Sequence, residues 1–244
     1  MQPDEARARI AALGFSDADA QTLFGHFDDA ERRGKLGHGY ARIPWLETLP
    51  GLNPRARPEG VLATGGFERW EGRGALGYLT LSAIVGAQLE QPPEHARVIA
   101  ASHCFPTGML GHYVRRLAEG GLVALLTATS PRRLAHPDGG APLVGTNPLA
   151  IGVPSSDGRA LVTDVSPAKA TYGDVLAGLA TDEDVVPFGG DQAHKAFALA
   201  VGLQLVVDSL VEGYGAVLVV ARPQADPVPA LRAAAAGLRL PGDR

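Results

Sequence analysis

A histidine between two glycines, Gly37-His38-Gly39, with an arginine four residues on at Arg42, is the first point in this sequence where residue types and spacing suit chemistry. An imidazole titrates near neutrality, so His38 can give or take a proton at a reacting heteroatom, a contribution of roughly 10²–10⁴-fold in such steps. A guanidinium at Arg42 can clamp a carboxylate or a phosphate through paired N–H donors. The same residues also describe a turn histidine and a solvated or ion-paired arginine, and spacing alone leaves both readings open. Further along, Gly145-Thr146-Asn147-Pro148 offers small and amide-bearing residues that let a ligand approach the backbone, or an ordinary turn. Asp164 ends the apolar run Ala160–Val165, with Ser166 close behind. A strand-end carboxylate either binds a ligand or caps the next turn. Gly189 and Gly190 precede Lys195. Glycines admit a phosphate closely and a lysine adds a point charge, but a glycine turn before a solvated lysine has the same composition.

Two other patterns carry less. Gly72-Arg73-Gly74-Ala75-Leu76-Gly77 matches G-x-G-x-x-G, a motif whose physics needs a buried strand ending at the first glycine. The preceding Phe67–Glu71 is too polar for a central strand, so the segment reads as a glycine loop capping a helix that starts near Leu76. His103, Cys104 and His112 supply only three donors on either side of a turn, short of closed zinc geometry, and no metal is expected.

The elements that must position these residues follow from periodicity. Residues 3–34 predict two helices: Gly14 stops the first, Ser16 opens the second, and Ala20, Leu23, Phe24 and Phe27 share one face. Residues 49–73 are Pro- and Gly-rich, a loop or short strands. Leu76–Leu89 predicts an apolar helix, residues 98–101 a buried strand, and Leu110–Glu119 an amphipathic helix closed by Gly120 and Gly121. Leu122–Thr127 predicts a strand, and residues 128–160 a long stretch of turns around the short strand LAIGVP. Ala160–Val165 predicts a strand, Ala196–Val211 a helix apolar nearly all round and therefore buried, and Gly215–Ala221 a strand. A short Ala-rich helix over 229–236 follows. Interspersed strands and helices predict an α/β or mixed α+β class.

Composition bounds the rest. Of the 244 residues, 45% are hydrophobic and 20% charged, an ordinary globular balance. The formal charge of −4 gives no basic surface for nucleic acid. One cysteine, Cys104, excludes an intramolecular disulfide. The most apolar stretch, Phe197–Leu210, is too short to span a bilayer and contains Gln204 and Asp208, and the N-terminus has no secretory pattern; a cytoplasmic protein without a membrane partner is expected.

Taken in order, four segments resemble the type-2 malate/L-lactate dehydrogenase family: GHGYARIP from Gly37, TGMLGHY from Thr107, PLVGTNPLAI from Pro142 with the following Thr163–Ala168, and PFGG from Pro187 with Lys195. The resemblance, from about Glu5 to the closing Leu240–Arg244, implies a non-Rossmann nicotinamide-binding domain on a largely antiparallel sheet. It implies a nicotinamide domain over 76–189, with 1–75 and 190–244 as helical, substrate-binding and dimerisation regions. It implies an NADPH- or NADH-dependent oxidoreductase that reduces a small 2-oxo or cyclic 2-imino acid, or oxidises the 2-hydroxy acid, in a specialised biosynthetic pathway, as a homodimer. His38 aligns with the family's histidine as general acid/base, with Asp164 to orient it or to meet the nicotinamide ribose, and Arg42 with the substrate-binding arginine. Thr127, Gly145, Thr146, Asn147, Asp164, Ser166, Gly189, Gly190 and Lys195 are implied in cofactor binding, although the family's serine aligns with Ala168 and Ser166 stands two residues ahead of it. Arg115, Arg116, Arg132 and Arg133 are candidates for a 2′-phosphate. Gly37 replaces the serine that precedes the family's histidine, and Pro106 stands where many relatives carry a second histidine. The stretch from Gly173 to Pro187 is compressed. An alternative follows from these departures: a member without hydride transfer, acting as a cofactor-free lyase, cyclase or isomerase, or as a binding protein.

Overall fold

The computed structural model describes residues 1–242, so Asp243 and Arg244 of the closing segment lie outside the described residues. Two helices open the chain, α1 (Pro3–Ala12) and α2 (Asp17–Arg32). Pro3 falls in the first turn of α1, where a missing N–H costs nothing. The Ser16 hydroxyl accepts from the Asp19 amide at 3.2 Å and so caps α2. Ile10, Leu23 and Phe27 are fully buried with Ile43 and Leu46 of α3 (Arg42–Glu47) and Tyr78 of α4 (Gly77–Glu90). This N-terminal cluster fixes α3, and with it Arg42, against the rest of the molecule.

The main core lies on one side of a seven-stranded sheet. Its strands are β1 (Glu59–Thr64), β2 (Phe67–Glu71), β3 (Ala96–Ser102), β4 (Val123–Ala128), β7 (Leu149–Val153), β8 (Leu161–Val165) and β9 (Ala216–Ala221), in the spatial order β1-β2-β3-β9-β4-β7-β8. β5 (Leu134–His136) and β6 (Gly139–Val144) form a separate hairpin. Every pair in the sheet is antiparallel except β2 with β3, which α4 connects as a crossover. Leu81, Ile84 and Val85 of α4 and Tyr113, Val114 and Leu117 of α5 (Leu110–Glu119) pack on Ile99, Leu126 and Leu218. The mixed α/β class and the largely antiparallel sheet expected from the resemblance are what the structure has.

Three elements differ from the sequence reading. Phe67–Glu71 is a strand despite its polar residues, because it lies second from the sheet edge and is only half-buried. The glycines that follow do not form a phosphate cradle: a side chain at Gly72 would collide with the His103 carbonyl, and one at Gly77 with the 104–106 backbone. Their role is close packing of the loop on that segment. Residues 128–160 hold the β5–β6 hairpin as well as β7, since its Gly- and Pro-rich strands give little alternation to read. The apolar helix α7 (Ala193–Asp208) is not buried all round. It packs against β4, β9 and the hairpin through Ala196, Phe197, Ala200 and Val207, while Leu199, Leu205 and Val206 remain exposed.

Candidate active site

A cavity of about 380 Å³ opens where several element ends converge. Its walls are the 3₁₀ turn Leu36–His38, α3, residues 105–109 ahead of α5, the end of β4, the turn before β7, the end of β8, and the short helix α6 (Tyr172–Leu176). Ligand sites commonly occupy clefts of roughly 300–1,000 Å³, apolar with a few converging polar groups. Trp45, Phe105, Pro106 and Tyr172 supply the apolar part here, and His38, Arg42, Asp164 and Asp174 the titratable part.

His38 is held by the turn that follows α2, whose His38 amide donates to the Lys35 carbonyl at 2.8 Å. The residue is partly buried, and its ring Nδ1 is shut off from solvent without a hydrogen-bond partner. Burial first, then the Arg42 charge and Lys35, hold its pKa down at about 4, with the Asp174 carboxylate pulling the other way. The ring is therefore neutral at pH 7. Arg42 is 7% exposed. Its guanidinium lies over the Trp45 ring, 4.4 Å from the centroid. Nε and Nη1 are buried without partners. A buried donor without an acceptor costs on the order of 1–3 kcal/mol, so this arrangement is suited to an anionic ligand.

Asp164 lines the cavity as well. Its Oδ2 accepts from the Gly111 amide at 2.7 Å, in the first turn of α5. Burial raises its pKa. Position 111 must be small, since a Cβ there would stand 2.9 Å from the carboxylate. The turn before β7 is tied in three places. The Ser166 hydroxyl donates to the Thr146 carbonyl at 2.9 Å. The Thr146 amide donates to Ser130 Oγ at 3.2 Å. The Asn147 side-chain amide donates to the Ala200 carbonyl and to Gln204 Oε1 at 3.0 and 2.9 Å.

Of the residues singled out from sequence, His38, Arg42, Thr146, Asp164 and Ser166 line this one cavity. Asp164 makes no hydrogen bond to His38 among the described residues. Gly145 and Asn147 stand behind the lining as anchors of the turn to α7; Asn147 is fully buried, and the Gly145 amide donates to Gln204 Oε1 at 3.2 Å. Thr127 is buried in β4 just short of the cavity, with its hydroxyl unpartnered. Gly189, Gly190 and Lys195 are exposed at the start of α7, outside the lining. Pro106 lines the cavity, whereas His103 pairs with Glu71 and His112 with Asp29 at 3.0 Å, both turned to other partners. The described residues hold no cluster of three or more metal-ligating side chains. Cys104 is buried, and burial pushes its thiol up to about 12.

Sequence reasoning passed over Lys35, Trp45, Tyr172, Asp174 and His26. His26 shares the buried face of α2 three residues after Leu23, a spacing that is visible once histidine is allowed in a core. Its Nε2 accepts from the Met109 amide at 3.0 Å and so fixes the backbone beside the cavity. A second cavity, which Asp164 also lines, is bordered by Arg33, Lys35, Arg115 and Arg239.

The model of the malate/L-lactate dehydrogenase family matches residues 4–190, most of the chain. The chain belongs to this family. Among curated malate/L-lactate dehydrogenase relatives, it is 31% identical over 176 residues to a (2R)-3-sulfolactate dehydrogenase (NADP(+)) of Chromohalobacter salexigens, covering 70% of this chain and 52% of that protein. It is 28% identical over 241 residues to a Δ1-pyrroline-2-carboxylate/Δ1-piperideine-2-carboxylate reductase of Pseudomonas syringae pv. tomato, covering 86% and 69%. The crystal structure of Δ1-piperideine-2-carboxylate reductase from the same organism superposes with a TM-score of 0.84 at 23% identity, covering 99% of this chain and 89% of that one, a likeness of fold. Among the described residues, no helix is long and apolar enough to cross a membrane.

Proposed function

We propose that this chain is an NADPH- or NADH-dependent oxidoreductase that reduces a small 2-oxo or cyclic 2-imino acid, or oxidises the matching 2-hydroxy acid. The observation that carries this reading is the pairing of an imidazole and a guanidinium, both with buried, unpartnered nitrogens, in one small cavity. Arg42 would take the substrate carboxylate through Nε and Nη1. His38 would exchange a proton with the oxygen or nitrogen that becomes hydroxyl or amine. The hydroxyls of Ser130 and Thr146, with Pro148 beside them, fit the amide and ribose end of a nicotinamide, and the positive field of Arg33, Lys35 and Arg115 suits its phosphates. When bound, the nicotinamide supplies or accepts the hydride at the substrate carbon.

Charge explains how the pair would work together. Arg42 depresses His38, so a carboxylate seated on Arg42 offsets that charge and draws a proton onto the imidazole. Substrate binding then arms the acid, and without substrate His38 is a base. The relatives named for sulfolactate and for cyclic imino-carboxylates support a substrate with an acidic group beside the reacting carbon. The exposed apolar face of α7 supports a homodimer.

The test is oxidation of NADPH and NADH followed optically with a panel of 2-oxo and cyclic 2-imino acids. Thermal shift with each nucleotide runs alongside, since a ligand that binds only the native state stabilises it by RT ln(1 + [L]/Kd). Turnover that is lost in His38→Gln supports the reading. A second reading, a cofactor-free acid/base enzyme or binding protein, is favoured by one observation: Gly189, Gly190 and Lys195 stand clear of the cavity. No thermal shift with either nucleotide would favour it over the redox assignment.

A further inference from the structure

Packing on α6 requires a glycine at position 37. A Cβ built on Gly37 would stand 2.6 Å from the Asp174 amide nitrogen, 2.6 Å from Asp174 Oδ1 and 2.6 Å from the Gly173 carbonyl carbon. A Cβ on Gly173 would in turn collide with the Gly37 carbonyl oxygen. The first turn of α6 therefore fills the place where a side chain at position 37 would begin. Each glycine is small because the other is there.

That turn is rigidly built. The Thr171 amide and hydroxyl both donate to Asp174 Oδ2 at 2.8 Å. The Asp174 amide donates to Thr171 Oγ1 at 3.3 Å, which completes a reciprocal capping box. This leaves Oδ1 without a hydrogen bond among the described residues, on the face pressed against the turn that bears His38. Asp174 and His38 line the same cavity. Arg42 of α3 and Lys35 at the start of the 3₁₀ turn disfavour a charge on His38, and Asp174 favours it. The other carboxylates nearby are engaged elsewhere, Asp164 by the Gly111 amide and Glu31 by the Tyr40 amide.

We propose that Asp174 is an electrostatic positioning residue of His38: packed on the turn that bears the imidazole and lining the same cavity, but making no hydrogen bond or ion pair to the ring among the described residues, its carboxylate favours the imidazolium in the proton-charged stage of the cycle. The proposal rests on the acid/base reading of His38. The proton moves between His38 and the substrate heteroatom, and solvent restores it to His38.

The experiment follows the His38 ring by NMR across pH, in the free protein and with oxamate as a small carboxylate probe, alongside the pH profile of kcat/KM. Asp174→Asn keeps an acceptor for the Thr171 amide but removes the charge. Thr171→Val weakens the cap but keeps the charge. The expected result is a His38 midpoint lower by about half a pH unit or more in Asp174→Asn and unmoved in Thr171→Val, with the acidic limb of the activity profile moving likewise. Should Asp174→Asn fail to fold, Asp174→Ser gives the same comparison with a smaller neutral acceptor. An unmoved midpoint in the neutral variants, or an equal shift in Thr171→Val, overturns the proposal. If His38→Gln retains full activity, the acid/base reading fails separately, and the ring titration still decides whether the two groups interact.

Discussion

Placing a serine at position 37 is the sharpest structural test of this site. Gly37→Ser places a Cβ within 2.6 Å of three atoms, two of them backbone, and neither α6 nor the 3₁₀ turn can yield by a rotamer change. Overpacking of this kind costs about 1–3 kcal/mol. Pushing α6 outward also strains the Thr171–Asp174 cap. Losing such a cap costs about 1 kcal/mol. Together these give a destabilisation of about 2–4 kcal/mol. For a chain of this size each kcal/mol lowers Tm by about 2–4 °C, so the expected drop is roughly 5–15 °C in a thermal scan followed by circular dichroism. Gly173→Ala presses on the same interface from the other side. Once one substitution has opened the contact, the second should cost much less, so the double variant should fall well short of the summed losses. A Gly37→Ser protein that melts with the wild type, or additive losses in the double variant, would refute the interlock.

Other perturbations follow from the same geometry. Because burial depresses His38 to about 4 while the unfolded ring titrates near 6.5, the unfolded chain binds the extra proton in that window, and stability is lost as pH falls from about 6.5 to 4. The loss is about 3 kcal/mol at about 1.36 kcal/mol per pKa unit, and urea titrations at pH 7 and pH 4 should show His38→Gln flattening it. Arg42→Met removes the charge that depresses His38, so the ring midpoint should rise in NMR while KM for a carboxylate substrate climbs at least about tenfold and turnover with an uncharged analogue changes little. Asn147→Ala leaves the Ala200 carbonyl and Gln204 short of a donor. It should cost about 1–3 kcal/mol in chemical denaturation. Cys104, buried and held as a thiol, should react with a thiol reagent only after denaturant is added; rapid labelling of the native protein would contradict its burial.

Much of this architecture is legible in the residues, and the exceptions share a cause. Ser16, Gly14 and the apolar face of α2 announce their helices because capping and helical periodicity are local. Val98–Ala101 and Gly215–Ala221 announce strands because their burial leaves uninterrupted apolar runs. Phe67–Glu71 does not, since a strand near an edge carries polar residues that only its neighbours turn into a pattern. α7 is misjudged for the converse reason: composition records how apolar a helix is, not how many of its sides this chain covers. At the cavity, His38, Arg42, Thr146 and Asp164 stand out through the resemblance, since their spacing alone fits an ordinary turn as well. Asp174 gives no comparable sign. Its role depends on α6 folding back onto a turn from near the start of the chain, and its only trace in sequence is a glycine where a serine is expected.

The spatial order of the sheet has a consequence for how the chain is made. β9 is the last of the described strands in sequence, yet it lies near the middle and hydrogen-bonds to β3 on one side and β4 on the other. Until residues 216–221 have left the ribosome, those two neighbours have no common partner, and their apolar faces stay open. Closing the gap sets Ala221 against both Ala96 and Val123. Joining residues so distant along the chain is an entropically slow step that exposes unpaired edges while it waits. Synthesis must therefore run past Ala221 before the core can shut, and a chain cut short ahead of Ala216 should collapse without forming the layer that carries the cavity.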